Sequence, residues 1–173
     1  MTLIRDGAIT EDDFVRLAED VAIPSAGKVL IGWDRWSAEL SAPASEAVRF
    51  GVQLPNTLDV VDQWPRLQHL ALIALSFPAF ADGRAYSQAR LLRDRLGFKG
   101  ELRAVGNAVV RDQMQSLNRC GFNSFELRAD QDAAECIAAL HDFSRAYQPA
   151  ADHLPGVFGA RRRATASANP RRT

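Results

Sequence analysis

HLALIALSF, residues 69–77, is an apolar run with neither the period of an amphipathic helix nor the alternation of a half-buried strand. Its length and the Pro78 that follows suit a strand covered on both faces, as strands of parallel sheets are. Working outward, the neighbours fit the same sheet. VRFGVQLP (48–55) reads as the strand before it, and Asn56 or Thr57 caps a short helix that Pro65 stops. After it comes a helix with Ala85, Ala89, Leu92 and Leu96 along one face, while Arg84, Arg93 and Arg95 point elsewhere. Gly97 ends that helix in the left-handed conformation, and Phe98 folds back on the last turn.

The pattern then repeats. ELRAV (101–105) is a strand, and Asn107 caps a helix that turns Val110, Met114 and Leu117 inward. Gly121 and Phe122 close that helix as Gly97 and Phe98 close the one before. SFELR (124–128) is another strand. Asp130 or Asp132 opens a last helix, with Ala133, Ile137, Leu140 and Phe143 or Ser144 along its stripe. RLGFKGELRA (95–104) returns as RCGFNSFELRA (119–129), a period of about 24 residues that matches one helix–strand unit.

The fold class expected is therefore α/β: a single domain with a mostly parallel sheet, repeated βα units and flanking helices. Right-handed crossovers are expected to set helices on both sheet faces. Three segments follow: residues 1–45 packed on the domain, a βα-repeat core at 46–148, and a tail at 149–173. In the first segment Thr10 and Asp13 make a capping box, Phe14 and Leu17 follow at helical spacing, and KVLIGW reads as a strand. SAPAS (41–45) is a loop.

Composition narrows the classes. The chain has 173 residues, 47% of them hydrophobic and 24% charged, as ordinary globular proteins do. No apolar run is long enough to span a bilayer, and the acidic N-terminus is no signal peptide, so no membrane partner and a cytoplasmic location are expected. Cys120 and Cys136 sit in apolar helical patterns and read as core residues. The scattered His69, His141 and His153 suggest no metal site. Net charge is zero, yet five of the 21 basic residues lie after Asp152 with no acid among them, leaving 16 against 21 acidic residues before. Arg161, Arg162, Arg163, Arg171 and Arg172 thus make a basic tail, expected to be disordered and solvated. It is the only feature that speaks for nucleic acid.

Ligands of parallel sheets bind beyond the carboxyl ends of the strands. Those ends fall at Gln53 and Asn56, at Ser76 to Arg84, at Gly106 and Asn107, and at Ala129 and Asp130. The second holds FPAFADGRAYSQARLL (77–92). Asp82 and Gly83 are accounted for as a helix entry, Asp82 accepting N–H bonds and Gly83 letting the chain turn. Arg84, Tyr86, Ser87 and Arg90 are not. A cation in a first helical turn is unfavourable by about 0.3–1 kcal/mol. Tyr86 and Arg90 share a face apart from the apolar stripe. Arginine at a helix start reads as a small-anion or partner site, and a plain helix entry stands beside that reading. Asp82, Gly83, Gly97 and Gly121 are taken as structural; Arg84, Tyr86, Ser87, Arg90 and Asn107 as candidates for binding. Trp33, Trp36 and Trp64 read as packing, and Arg111 and Asp112 as a solvated face. The glycine spacings match no dinucleotide or phosphate loop, and no nucleophile triad is present, so catalytic groups and cofactor stay open.

The stretch FPAFADGRAYSQARLLRDRLGFKGELRAVGN, with RDQ and RCGFNSFELR after it and MTLIRDGAITEDD and GVQLPN before, closely resembles the bacterial domain-of-unknown-function family 934. The likeness runs over roughly residues 1 to 145. The resemblance implies a protein encoded beside the sirohaem-dependent sulfite or nitrite reductase, among the genes of sulfate assimilation; members are often labelled oxidoreductase. It implies an accessory protein of sulfite reduction for cysteine synthesis, with that reductase as partner. The alternative is a small enzyme, an oxidoreductase or other, acting on an anionic metabolite at the strand-end rim. Two residues depart from the family: it usually has an acid at Ser76 and an Asp at Asn107, which lowers the expectation of acid–base catalysis.

Overall fold

The computed structural model describes residues 2–39, 48–144, 146–148, 150–151 and 156. The arginine tail and the SAPAS loop lie outside the described residues. Eight strands make one sheet: β1 (Leu3–Arg5), β2 (Ala8–Thr10), β3 (Val15–Arg16), β4 (Gly27–Gly32), β5 (Val48–Leu54), β6 (Leu72–Phe77), β7 (Glu101–Gly106) and β8 (Ser124–Glu126). The order across it is β2-β1-β8-β7-β6-β5-β4-β3. From β3 to β8 every neighbouring pair is parallel; β1 runs antiparallel to β8, and β2 to β1. The sheet is mostly parallel with flanking helices, so the fold is α/β.

The helices are α1 (Trp33–Glu39), α2 (Trp64–Leu67), α3 (Arg84–Arg90, widening into a π turn at Leu91–Arg95), α4 (Met114–Arg119, entered through a 3₁₀ turn at Arg111–Gln113) and α5 (Ala133–Ala139). Helices on both faces were expected, and the strand order corrects this. Because β3 to β8 follow one another without reversal, crossovers of one hand return to the same face. One large core joins Val29, Ile31, Phe50, Val52, Ile73, Leu75, Leu102, Ala104 and Phe125 of the strands to Leu67, Ala85, Ala89, Leu92, Met114, Leu117 and Cys136. The opposite face carries a small helix-free cluster: Phe14, Leu30, Leu72, Ala74 and Val105.

That opposite face is concave. Arg16 on β3 donates to Gln53 Oε1 on β5 and, at 2.9 Å, to Glu126 Oε2 on β8. Strands β3 and β8 are five spacings apart, which is ~24 Å in a flat sheet and several times the reach of an arginine. Only a sheet curled toward closure lets one side chain touch both. The edge strands β2 and β3 are joined by residues 11–14, which strap the gap.

Local readings change accordingly. Thr10 and Asp13 form no capping box: Thr10 ends β2, and Phe14 to Leu17 run extended beside β4. The Asp13 carboxylate expected to start a helix goes to Arg5 and Lys28 instead, and its neighbour Asp12 goes to Arg103. Pro65 opens a helix rather than stopping one, sitting in the first turn of α2. Asn107 does not cap; α4 begins later, and residues 108–110 are a buried connection. Asp132 is the N-cap of α5, accepting from the Glu135 N–H at 2.9 Å. The stripe of α5 is displaced: Cys136, Ala139 and Leu140 are buried while Phe143 is exposed. Trp33, Trp36 and Trp64 pack, with the Arg66 guanidinium 4.9 Å from the Trp36 ring. Neither Cys120 nor Cys136 is in a disulfide, and among the described residues no group of acidic, histidine or cysteine side chains could hold a metal ion. Among the described residues no helix is long and apolar enough to cross a membrane.

Candidate functional site

The stretch 77–90 leaves the sheet at the carboxyl end of β6. Phe77 ends the strand fully buried, stacked edge-on against Tyr86 at 5.1 Å. Asn107 at the end of β7 anchors the loop: its N–H donates to the Phe77 carbonyl at 2.9 Å and its side chain to the Pro78 carbonyl at 2.8 Å. Gly106 makes this approach possible. Its φ is +107°, and a Cβ there would lie 2.4 Å from the Phe77 oxygen. From this pinned base the loop projects Phe80, 56% exposed.

Asp82 and Arg84 are one unit. The guanidinium donates to both carboxylate oxygens, at 2.9 and 2.6 Å, and the Arg84 N–H approaches the same carboxylate at 3.3 Å. Arg84, with the Asn56 side chain behind it, holds Asp82 well below the usual carboxylate range. The acid already balances the cation that seemed misplaced at a helix start. Gly83 has φ −88°, which any residue adopts, so it is not there for a left-handed turn.

The other candidates do not converge with Arg84. The Tyr86 hydroxyl donates to Gln113 Oε1 at 2.9 Å, and burial, with the Cys120 thiol adding to it, pushes the phenol up to about 12. At neutral pH it stays protonated and serves as a donor, not a base. Arg90 turns down the helix, pairing with Asp94 at 2.5 Å and reaching the Arg119 carbonyl at 3.4 Å. Ser87 is exposed, with no side-chain hydrogen bond among the described residues. Gln88 is buried and donates to the Pro55 and Leu58 carbonyls, tying α3 to the end of β5. Beside Phe80 a cleft of about 390 Å³ is lined by Arg111, Arg128, Asp130, Asp132 and Glu135 among others.

A second polar assembly lies inside the curl. Deepest is Arg103 of β7, fully buried, with a two-pronged hold on Asp12 at 2.6 and 2.9 Å and a pairing with Glu101 at 2.8 Å. Its guanidinium lies 5.9 Å from the centre of the Phe14 ring. Above, at the carboxyl ends of the strands, Glu126, Arg16, Gln53 and Ser76 form a chain, Gln53 Nε2 donating to Ser76 Oγ at 3.0 Å. A cleft of about 340 Å³, lined by Thr2, Leu3, Thr10, Glu11, Asp12 and Glu126, opens next to it. Gln53 and Ser76 stood at predicted strand ends; Arg16, Arg103 and Glu126 were not singled out. The signal for Arg16 was hidden by a helical spacing of Phe14 and Leu17.

A curled, singly wound α/β sheet with a polar cup at its strand ends and a pinned outer loop defines the class. Within that class the chain belongs to the family described as bacterial protein of unknown function (DUF934), whose model matches residues 51–158. Comparison with curated proteins and with solved structures finds no match.

Proposed function

We propose that the chain is an accessory protein of assimilatory sulfite reduction, docking on the sirohaem sulfite or nitrite reductase through loop 78–84. The family resemblance supports the pathway. The observation that carries the docking mode is Phe80 and Arg84, both more than half exposed, held out on a loop whose base is fixed by Asn107. Aromatic and arginine side chains on rigid supports are the preferred anchors of protein interfaces. Sedimentation of the two proteins together tests it: a complex is expected, weakened by Phe80→Ala with Arg84→Ala. Independent sedimentation would count heavily against the reading. In a deletion strain, growth on sulfide but not on sulfite places the protein at the reductase step.

The second reading is an enzyme, oxidoreductase or other, acting on a small anionic metabolite at the rim. The cleft beside Phe80, with Arg111 and Arg128 in its wall, favours it. A thermal-shift panel of anionic metabolites separates the two, since a ligand at 100 times its dissociation constant adds about 2.7 kcal/mol.

A further inference from the structure

We infer that the cup inside the curl, formed by Arg16, Gln53 and Ser76, is a binding site for a small oxyanion. The cup holds more donors than the chain consumes. Ser76 Oγ accepts from Gln53, so its own proton remains to be donated, and among the described residues nothing accepts it. Gln53 Nε2 keeps a second N–H. Of the five N–H groups of Arg16, one goes to Gln53 and one to Glu126. These donors come from β3, β5 and β6, three elements that the curl brings to one place.

Position and surroundings agree with the count. The cup stands at the carboxyl ends of parallel strands, the end at which α/β sheets take ligands, and it lies on the face free of helices. Phe14, Leu30, Leu72, Ala74 and Val105 supply the apolar part of the same face, against which charge–dipole interactions strengthen. Arg16 is 45% exposed, so an anion can reach it from solvent. Glu126 shows what the fork accepts: a carboxylate already takes one of its N–H groups at 2.9 Å. A ligand with two or more acceptor oxygens can use the rest together with Ser76 and Gln53. The chemical class is therefore carboxylate, sulfite, sulfate or phosphate. Arg84 is a poorer anion site, because both oxygens of Asp82 already occupy one edge of its guanidinium as a two-pronged pair.

Isothermal titration of the full chain with acetate, sulfite, sulfate and phosphate, each against sodium chloride at matched ionic strength, tests this. At least one is expected to bind saturably, and the four arms show which oxyanion the cup prefers. Arg16→Lys should weaken it about tenfold by losing the planar fork, and Ser76→Ala by about threefold. Glu126→Gln should tighten binding about fivefold by removing the competing charge. Arg84→Ala should leave it unchanged, which keeps this site separate from the docking loop and its own test. Should Arg16→Lys fail to fold, Ser76→Ala and Glu126→Gln still decide. No saturable binding by any of the four, or binding indifferent to Ser76→Ala and Glu126→Gln, overturns the inference.

Discussion

Arg84 shows how a residue's meaning depends on the one two places before it. Read alone it is a cation against the helix dipole; beside Asp82 it completes an exposed ion pair. Exposed pairs contribute little to folding. Asp82→Ala and Arg84→Ala are therefore each expected to leave the melting temperature near that of the parent, and the pair of substitutions to be additive. If docking uses Arg84, Arg84→Ala alone abolishes growth on sulfate; full complementation would leave Asp82 and Arg84 as a helix entry. The neighbouring glycines separate by conformation. At Gly83 a Cβ would meet only Tyr86 at an ordinary 3.7 Å, so Gly83→Ala is expected to be neutral or to stabilise by about 0.4–1 kcal/mol. Gly106→Ala meets a carbonyl oxygen at 2.4 Å with φ positive, and should cost about 1–3 kcal/mol or more in urea unfolding. Neither outcome was legible in the sequence, where Gly83 reads as part of a helix entry and Gly106 simply follows a strand.

At the scale of elements, the echoed helix–strand units are held to one another through Arg93. It donates to the Gly121 and Phe98 carbonyls at 2.7 Å, to Gly100 at 2.9 Å and to Asn123 Oδ1 at 2.9 Å. Both turns use a left-handed glycine, φ +72° at Gly97 and +103° at Gly121, and both bury the phenylalanine that follows. Those features were legible because Gly-Phe after an amphipathic stripe has a local cause. Arg93 was not, because its partners lie up to 30 residues away. Burial pushes its guanidinium pKa down, against the pull of Asp6, yet it stays charged. Arg93→Met strips a charged donor from three carbonyls and should cost about 3 kcal/mol. Faster hydrogen exchange at 97–100 and 121–123 together would mark the shared hinge; a change confined to one turn would not fit. The N-terminal strands were misread for the opposite reason. Thr10, Asp13, Phe14 and Leu17 match a helix start at every local test, and only distant cations reverse it.

For the molecule as a whole, the curl is closed by charge. Residues 11–14 cross the gap between the sheet edges and are anchored by ion pairs, Asp12 on Arg103 and Asp13 on Lys28 and Arg5, while Arg16 on β3 reaches across to Glu126. Phe14 rides between, beneath Arg103 and Lys28. The Lys28 ammonium, helped by Arg5 and opposed by slight burial, brings Asp13 from its ordinary 3.8 to about 2. Burial raises Asp12, but Arg103 and the Phe14 N–H outweigh it and hold it below the usual range. A depressed carboxylate stabilises the fold fully above its unfolded pKa and loses that contribution as pH falls through the folded one. Stability should therefore decline between pH 4 and about 2 as the strap is protonated. Asp13 is 40% exposed, so its share shrinks in high salt, whereas that of Asp12 on fully buried Arg103 persists. Melting curves over this range check the argument. Asp13→Asn should start lower at neutral pH, fall less steeply below pH 4, and meet the parent near pH 2. A variant that runs parallel to the parent throughout the window would show that Asp13 does not hold the strap.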